Sequence, residues 1–280
     1  MHRTAAVLSA LALLSLAARA QIDPGARAPE LPAASFDGLK NSPQGALERA
    51  AIPDPASAAP EKVPVSPDDA VAPAGLPAVG KWLLDKNGDV AHWLGRRVNG
   101  LLLDEPVNVL IRVRATAPAG AIQKVLAAAK AAGFTPRDGH TNGYASLLDG
   151  KKLAQENKTF SDRPFFESND HFRLFGPIRL GGYYYFSAAI SREKVALIRA
   201  EDPDPDEFPP THEYVSFTKT RDAFAAKMKS AGGAGVVGLI PLGNAISDDG
   251  FQTTGDHDGA AVLLELPRPS LKRARAAQKH

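Results

Sequence analysis

The sequence contains no cysteine. That absence removes disulfides, a lipid-modified cysteine anchor, thiolate metal sites and a cysteine nucleophile together. Charge of either sign is close to balanced: the formal net charge is +2 over 280 residues, too little to suggest nucleic-acid binding across a whole surface. Beyond the first twenty residues no apolar run approaches the length of a membrane helix, so no transmembrane span is expected. Familiar catalytic spacings are missing as well. There is no His-Glu-x-x-His, no His-x-His and no Gly-x-Ser-x-Gly. The glycine-rich Gly232-Gly233-Ala234-Gly235 follows a helical pattern instead of opening one, and it lacks the Gly-Lys-Ser/Thr ending of a phosphate loop.

What is present divides the chain into four parts. His2 and Arg3 supply a positive start, Ala5 to Ala17 is apolar, and Ala18-Arg19-Ala20 ends the run in small-x-small form. This predicts a signal peptide over residues 1–20, cleaved before Gln21, and a periplasmic or secreted protein. A secreted chain without disulfides relies on an ordinary core, which suits a bacterial periplasm. Residues 21–78 are rich in Pro and Ala and read as a disordered linker, serving either to give reach or as a dispensable leader. A folded domain is expected over 79–266. Residues 267–280, with Arg268, Lys272, Arg273, Arg275 and Lys279, read as a solvated basic tail.

Within the domain, periodicity predicts an α+β fold: a mixed or mostly antiparallel sheet with two or three packed helices. A strand over Pro106–Ala115 would place Val107, Val109, Ile111 and Val113 on one face. A helix then follows, capped by Thr116, with Pro118 in its first turn and Gly133 at its end. The stretch Asn169–Glu193 reads as a strand, a Gly/Pro-containing connection and a longer aromatic strand buried on both sides. Lys194–Ala200 suggests a short helix, Thr211–Phe217 a strand, and Thr220–Lys229 a helix burying Phe224 and Met228. Val236–Leu242 and Ala260–Leu266 read as the last strands. Asp85-Lys86-Asn87-Gly88-Asp89 opens like a calcium loop, but Val90 and Arg96 occupy the positions that need Gly and Glu, so it reads as a turn. Asp256-His257-Asp258-Gly259 reads first as a hairpin turn.

Three histidines fall beside other polar groups: His140 in a turn, His171 in a strand and His212 at a strand start. Alternation places His171 and Arg173 on one face, opposite Phe172 and Leu174. Glu213 follows His212 but should point to the other side of its strand. Two imidazoles and a carboxylate can bind a divalent ion with an open position for water, and His171, His212 and Asp170 are the candidate ligands. His171, Arg173 and His212 are also the candidates for metal-free acid–base chemistry. The structural alternative makes Arg173 half of an ion pair across the sheet.

Several short motifs in one order resemble the LssY C-terminal domain family. They are Asp104-Glu105-Pro106-Val107-Asn108-Val109, Ala132-Gly133-Phe134-Thr135-Pro136, Asp170-His171-Phe172-Arg173-Leu174-Phe175, Ala188-Ala189-Ile190-Ser191-Arg192 and Thr211-His212-Glu213. They span about Asp104 to Asp222. Members of that family often carry the domain beside phosphatase-like or DedA-like membrane segments, which this sequence does not show. The resemblance implies no particular reaction, and it adds weight to His171, Arg173 and His212 as a shared surface. The expectation is therefore an exported domain that binds a small ligand or an envelope component at that face. The alternative is a metal-assisted hydrolase acting on a phosphorylated or lipid-derived substrate, with a divalent metal as the one candidate cofactor.

Overall fold

The computed structural model describes residues 64–196, 211–247 and 250–267. The expected signal peptide, most of the Pro/Ala-rich segment, the acidic loop 201–210 and the basic residues from 268 onward lie outside them. The described chain opens with β1 (Ala70–Val71), β2 (Val79–Leu84), β3 (His92–Val98), β4 (Leu101–Asp104), β5 (Val109–Val113) and helix α1 (Pro118–Ala131). Then come β6 (Thr135–Pro136), β7 (Ala145–Leu148), β8 (Lys151–Ala154), β9 (Phe160–Ser161), β10 (Asn169–Leu180) and β11 (Tyr183–Ala196). After β12 (Thr211–Ser216) and α2 (Thr218–Ser230) follow β13 (Gly235–Pro241), β14 (Gln252–Thr253) and β15 (Ala260–Leu266). No helix among these residues is long and apolar enough to cross a membrane.

The main sheet has 8 strands in the order β13-β15-β5-β11-β10-β9-β6, with β12 added beside β11. Its pairs are antiparallel except β15 with β5, which run parallel. The α+β expectation therefore holds, with two helices among the described residues. The β10–β11 hairpin dominates the sheet. Gly181 and Gly182 both take positive φ, 55° and 81°, so a two-residue turn joins Leu180 to Tyr183. Such a turn matches the twist of the strands it connects.

Alternation along β11 sorts its side chains into two cores. Tyr184, Phe186, Ala188 and Ile190 point to the side covered by α1 and α2, where they meet Val125, Ala129, Phe224 and Met228. Tyr185 and Ala189 point to the opposite side, toward residues of β2 and β7 such as Val79, Leu83 and Leu148. The smaller sheet, β1-β2-β7-β8, thus covers the second face. The strand is buried on both sides, as its composition implies.

Several expectations are corrected. Residues 194–196 extend β11 instead of starting a helix, because they pair with β12. Val107 leaves the face of Val109, Ile111 and Val113 and packs in the second core. The break falls at Asn108, whose buried amide donates to Ile190 O and accepts Ile190 N–H, both at 2.9 Å, replacing a ladder step with a side chain. Ala117, not Thr116, precedes the first residue of α1. Residues 256–259 form no tight hairpin; Asp256 accepts the N–H groups of Phe217 and Thr218 at the start of α2, and Asp258 pairs with the buried Arg221. The folded body also begins before Val79, since Val65 and Val71 pack against its cores.

Candidate functional site

The second face of the main sheet carries Asn169, His171 and Arg173 from β10 and Ser187, Ser191 and Glu193 from β11. Register makes neighbours of them: Asn169 lies opposite Glu193, His171 opposite Ser191, and Arg173 opposite Ala189. The turn after β6 brings His140 over this surface, and the start of β12 brings His212 beside it. Three imidazoles separated widely in sequence so meet around one carboxylate, that of Glu193. His212 Nδ1 is 2.9 Å from Glu193 Oε2, while His140 Nδ1 and His171 Nδ1 are each 3.9 Å from Glu193 Oε1. The His140 and His171 rings sit 5.1 Å apart and are tilted by 32°.

Hydrogen bonds orient most of this cluster. Asn169 donates its amide N–H to Glu167 O and to Glu193 Oε1, which leaves its Oδ1 facing His171 Nδ1 at 3.1 Å. The other ring nitrogen of His171 meets Ser191 Oγ at 3.2 Å. A hydroxyl both donates and accepts, so Ser191 serves either tautomer of that ring. His140 differs: its side chain is only 5% exposed, yet its Nε2 has no hydrogen-bond partner. The turn that carries it is pinned elsewhere, through Thr141 O to the Thr159 hydroxyl and Asn142 Oδ1 to Thr159 N–H.

Burial and charge pull these groups in different directions. Burial alone would raise the Glu193 carboxyl, but the His212 hydrogen bond, the neighbouring imidazoles of His171 and His212 and the Asn169 amide outweigh it and hold it at about 2. Burial pushes His171 down to about 3 against the pull of Glu193, and it lowers His140 as well. At neutral pH the site is an anionic carboxylate beside uncharged imidazole at His171. Neutral imidazole and carboxylate are the forms that ligate divalent metals.

Of the residues expected from sequence, His171 and His212 do come together, with Glu193 as the link. Arg173 shares their face but is engaged one step along the strand. Its Nη1 donates to Glu105 Oε2 at 2.9 Å, both side chains are buried, and its guanidinium lies 4.2 Å from the Tyr144 ring centre. The structural alternative foresaw Arg173 in an ion pair across the sheet; the ion pair is there, but its carboxylate lies in the connection between β4 and β5 and not on a strand of the main sheet. Asp170 does not join the site. Alternation turns it to the helix side, where it pairs with Arg192 at 2.8 Å and Lys227 at 3.0 Å. Glu213, as expected, also points away and meets Lys194.

Glu193 is the central residue that sequence reasoning passed over. The signal was present in the alternation Ala189, Ser191, Glu193 against Ile190 and Arg192, inside the stretch already read as strand, but only the pairing of β11 with β10 and β12 sets its last carboxylate among the histidines. Beside the cluster, a Cβ on Gly139 would lie 2.1 Å from the Phe165 ring, so the 162–168 loop rests on the turn that presents His140. Phe165 and Phe166 pack edge to face and remain 37% and 55% exposed. Comparison of the chain with protein-family models, with curated proteins and with solved structures finds no match.

Proposed function

We propose that the protein is an exported domain of the LssY C-terminal-like kind that binds a small ligand at the His/Glu face of β10, β11 and β12. The observation that carries this reading is Glu193: a carboxylate 3% exposed and surrounded by His140, His171 and His212. A buried ion of this sort costs several kcal/mol in desolvation, and unlike Glu105, which faces an arginine, it is met by imidazoles. Groups held in such surroundings concentrate at functional sites. His212 keeps 18% of its side chain exposed, so the cluster reaches solvent there, and residues 141–143, which follow His140, are exposed. The adjacent Phe165 and Phe166 rings offer apolar surface for the uncharged part of a ligand. Export is supported by the charged start, apolar run and small-residue end of the first twenty residues.

The test is a thermal-shift survey of the purified chain. Its probes are divalent ions, inorganic phosphate, short carboxylic acids and sugars. At least one probe should raise Tm in the wild type and in an outer-face control, Lys194→Ala/Glu213→Ala, but not in His171→Ala/His212→Ala. A survey in which no probe distinguishes these proteins removes the proposal.

A further inference from the structure

We infer that His140, His171 and Glu193 form a binding site for one divalent first-row transition-metal ion. The inference rests on the binding face proposed above and names its ligand class. One potential ligand atom from each of the three residues lies within 4.8 Å of the other two. Atoms that share a metal at about 2.0–2.2 Å are separated by roughly 3–3.5 Å, so the 3.9 Å from each imidazole Nδ1 to Glu193 Oε1 needs only small side-chain adjustments.

The surroundings also fit. Ligating residues are ordinarily steadied by hydrogen bonds from their far side. Ser191 Oγ meets His171 Nε2 and His212 Nδ1 holds Glu193 Oε2, while Asn169 engages the inner atoms, its Oδ1 at His171 Nδ1 and its amide N–H at Glu193 Oε1. An ion entering the shared space takes these two atoms over from Asn169, with the His171 proton moving to the Nε2 side, where Ser191 Oγ can accept it. His140 adds a second observation: its side chain is 95% removed from solvent and its Nε2 has no partner in the protein, so no hydrogen bond at that nitrogen holds the ring away from an ion taken at Nδ1. Two imidazoles and one carboxylate select against Mg²⁺ and Ca²⁺, which take oxygen ligands, and in favour of Zn²⁺, Fe²⁺ or Co²⁺. The site differs from the one expected by alternation. Asp170 is replaced by Glu193, His140 enters, and His212 acts as a positioning residue.

The experiment uses the full chain, stripped with EDTA and titrated with Co²⁺ and Zn²⁺. Visible Co²⁺ absorption reports the ligand set, calorimetry reports the stoichiometry, and Mg²⁺ serves as control. One Co²⁺ or Zn²⁺ should bind per chain, with no response to Mg²⁺. Removing His140 breaks no hydrogen bond of its ring, so His140→Ala should keep the metal-free Tm and lose the ion. Ser191→Ala should bind the ion about 10- to 100-fold more weakly. No saturable Co²⁺ or Zn²⁺ binding at micromolar concentration, or unchanged binding in both His140→Ala and His171→Ala, overturns the inference. An organic or phosphate probe that still depends on His171 and His212 would leave the binding face standing while the metal site fell.

Discussion

Replacing Arg173 with Met should destabilise the domain by about 3–5 kcal/mol, because it strands Glu105 without a counter-charge. The two side chains are 4% and 2% exposed and meet at 2.9 Å. At that separation an effective dielectric near 20 gives an attraction of about 6 kcal/mol, which offsets the loss of water around both charges. Glu105 has little else: its Oε1 has no hydrogen-bond partner. Burial already raises its carboxyl, and Arg173 is the leading influence in the opposite direction. Met keeps the apolar contact with Tyr144 but not the charge. Urea denaturation at pH 7 measures the loss, and for a domain of this size Tm should fall by roughly 10 °C. The double variant Arg173→Met/Glu105→Met removes the stranded ion and should recover much of the stability. The loss in Arg173→Met should also shrink as pH falls, since an unpaired Glu105 becomes protonated. A single-variant cost below about 1 kcal/mol, or a double variant as unstable as the sum of its parts, would refute the reasoning.

Asp170→Asn should cost about 1–3 kcal/mol by weakening the contacts with Arg192 and Lys227, while leaving Co²⁺ titration of the opposite face unchanged; altered ion affinity would return Asp170 to the site. His257 provides a pH test away from it. Burial pushes this ring down to about 3, with the nearby Asp258, Arg221 and Asp256 charges as smaller influences. Below the unfolded value near 6.5 the unfolded chain takes up a proton that the folded chain does not. The stabilisation is thus complete above pH 6.5 and is lost progressively toward pH 3. Its share between pH 7 and pH 5 is about 2 kcal/mol, and His257→Gln, which can still donate to Asn244 Oδ1, should flatten the wild-type urea profile by that amount. Parallel profiles in the two proteins would contradict the assignment.

Much of the fold was legible because local pattern and final burial agree. Phe172 and Leu174 separate from His171 and Arg173 by simple alternation, and Phe224 and Met228 are the buried pair of α2. What misled was sequence whose role is set by a distant partner. Residues 194–196 look unsuited to a strand until β12 supplies their hydrogen bonds. The 256–259 segment looks like a turn, yet Asp256 serves a helix start whose preceding residue, Phe217, has no capping side chain. The parallel contact of β15 with β5 has no local signature at all.

The site divides in the same way. Residue order alone determined that His171 and Arg173 share a face and that Glu213 points away from His212, because a strand alternates whatever it pairs with. The identity of the central carboxylate, the exclusion of Asp170 and the entry of His140 were decided by the tertiary structure. Asp170 and Glu193 are equally acidic in sequence; strand register and the side chosen by the helices set one against Lys227 and the other among the imidazoles. Those are long-range choices, made by which faces bury apolar surface together, and no window of neighbouring residues contains them.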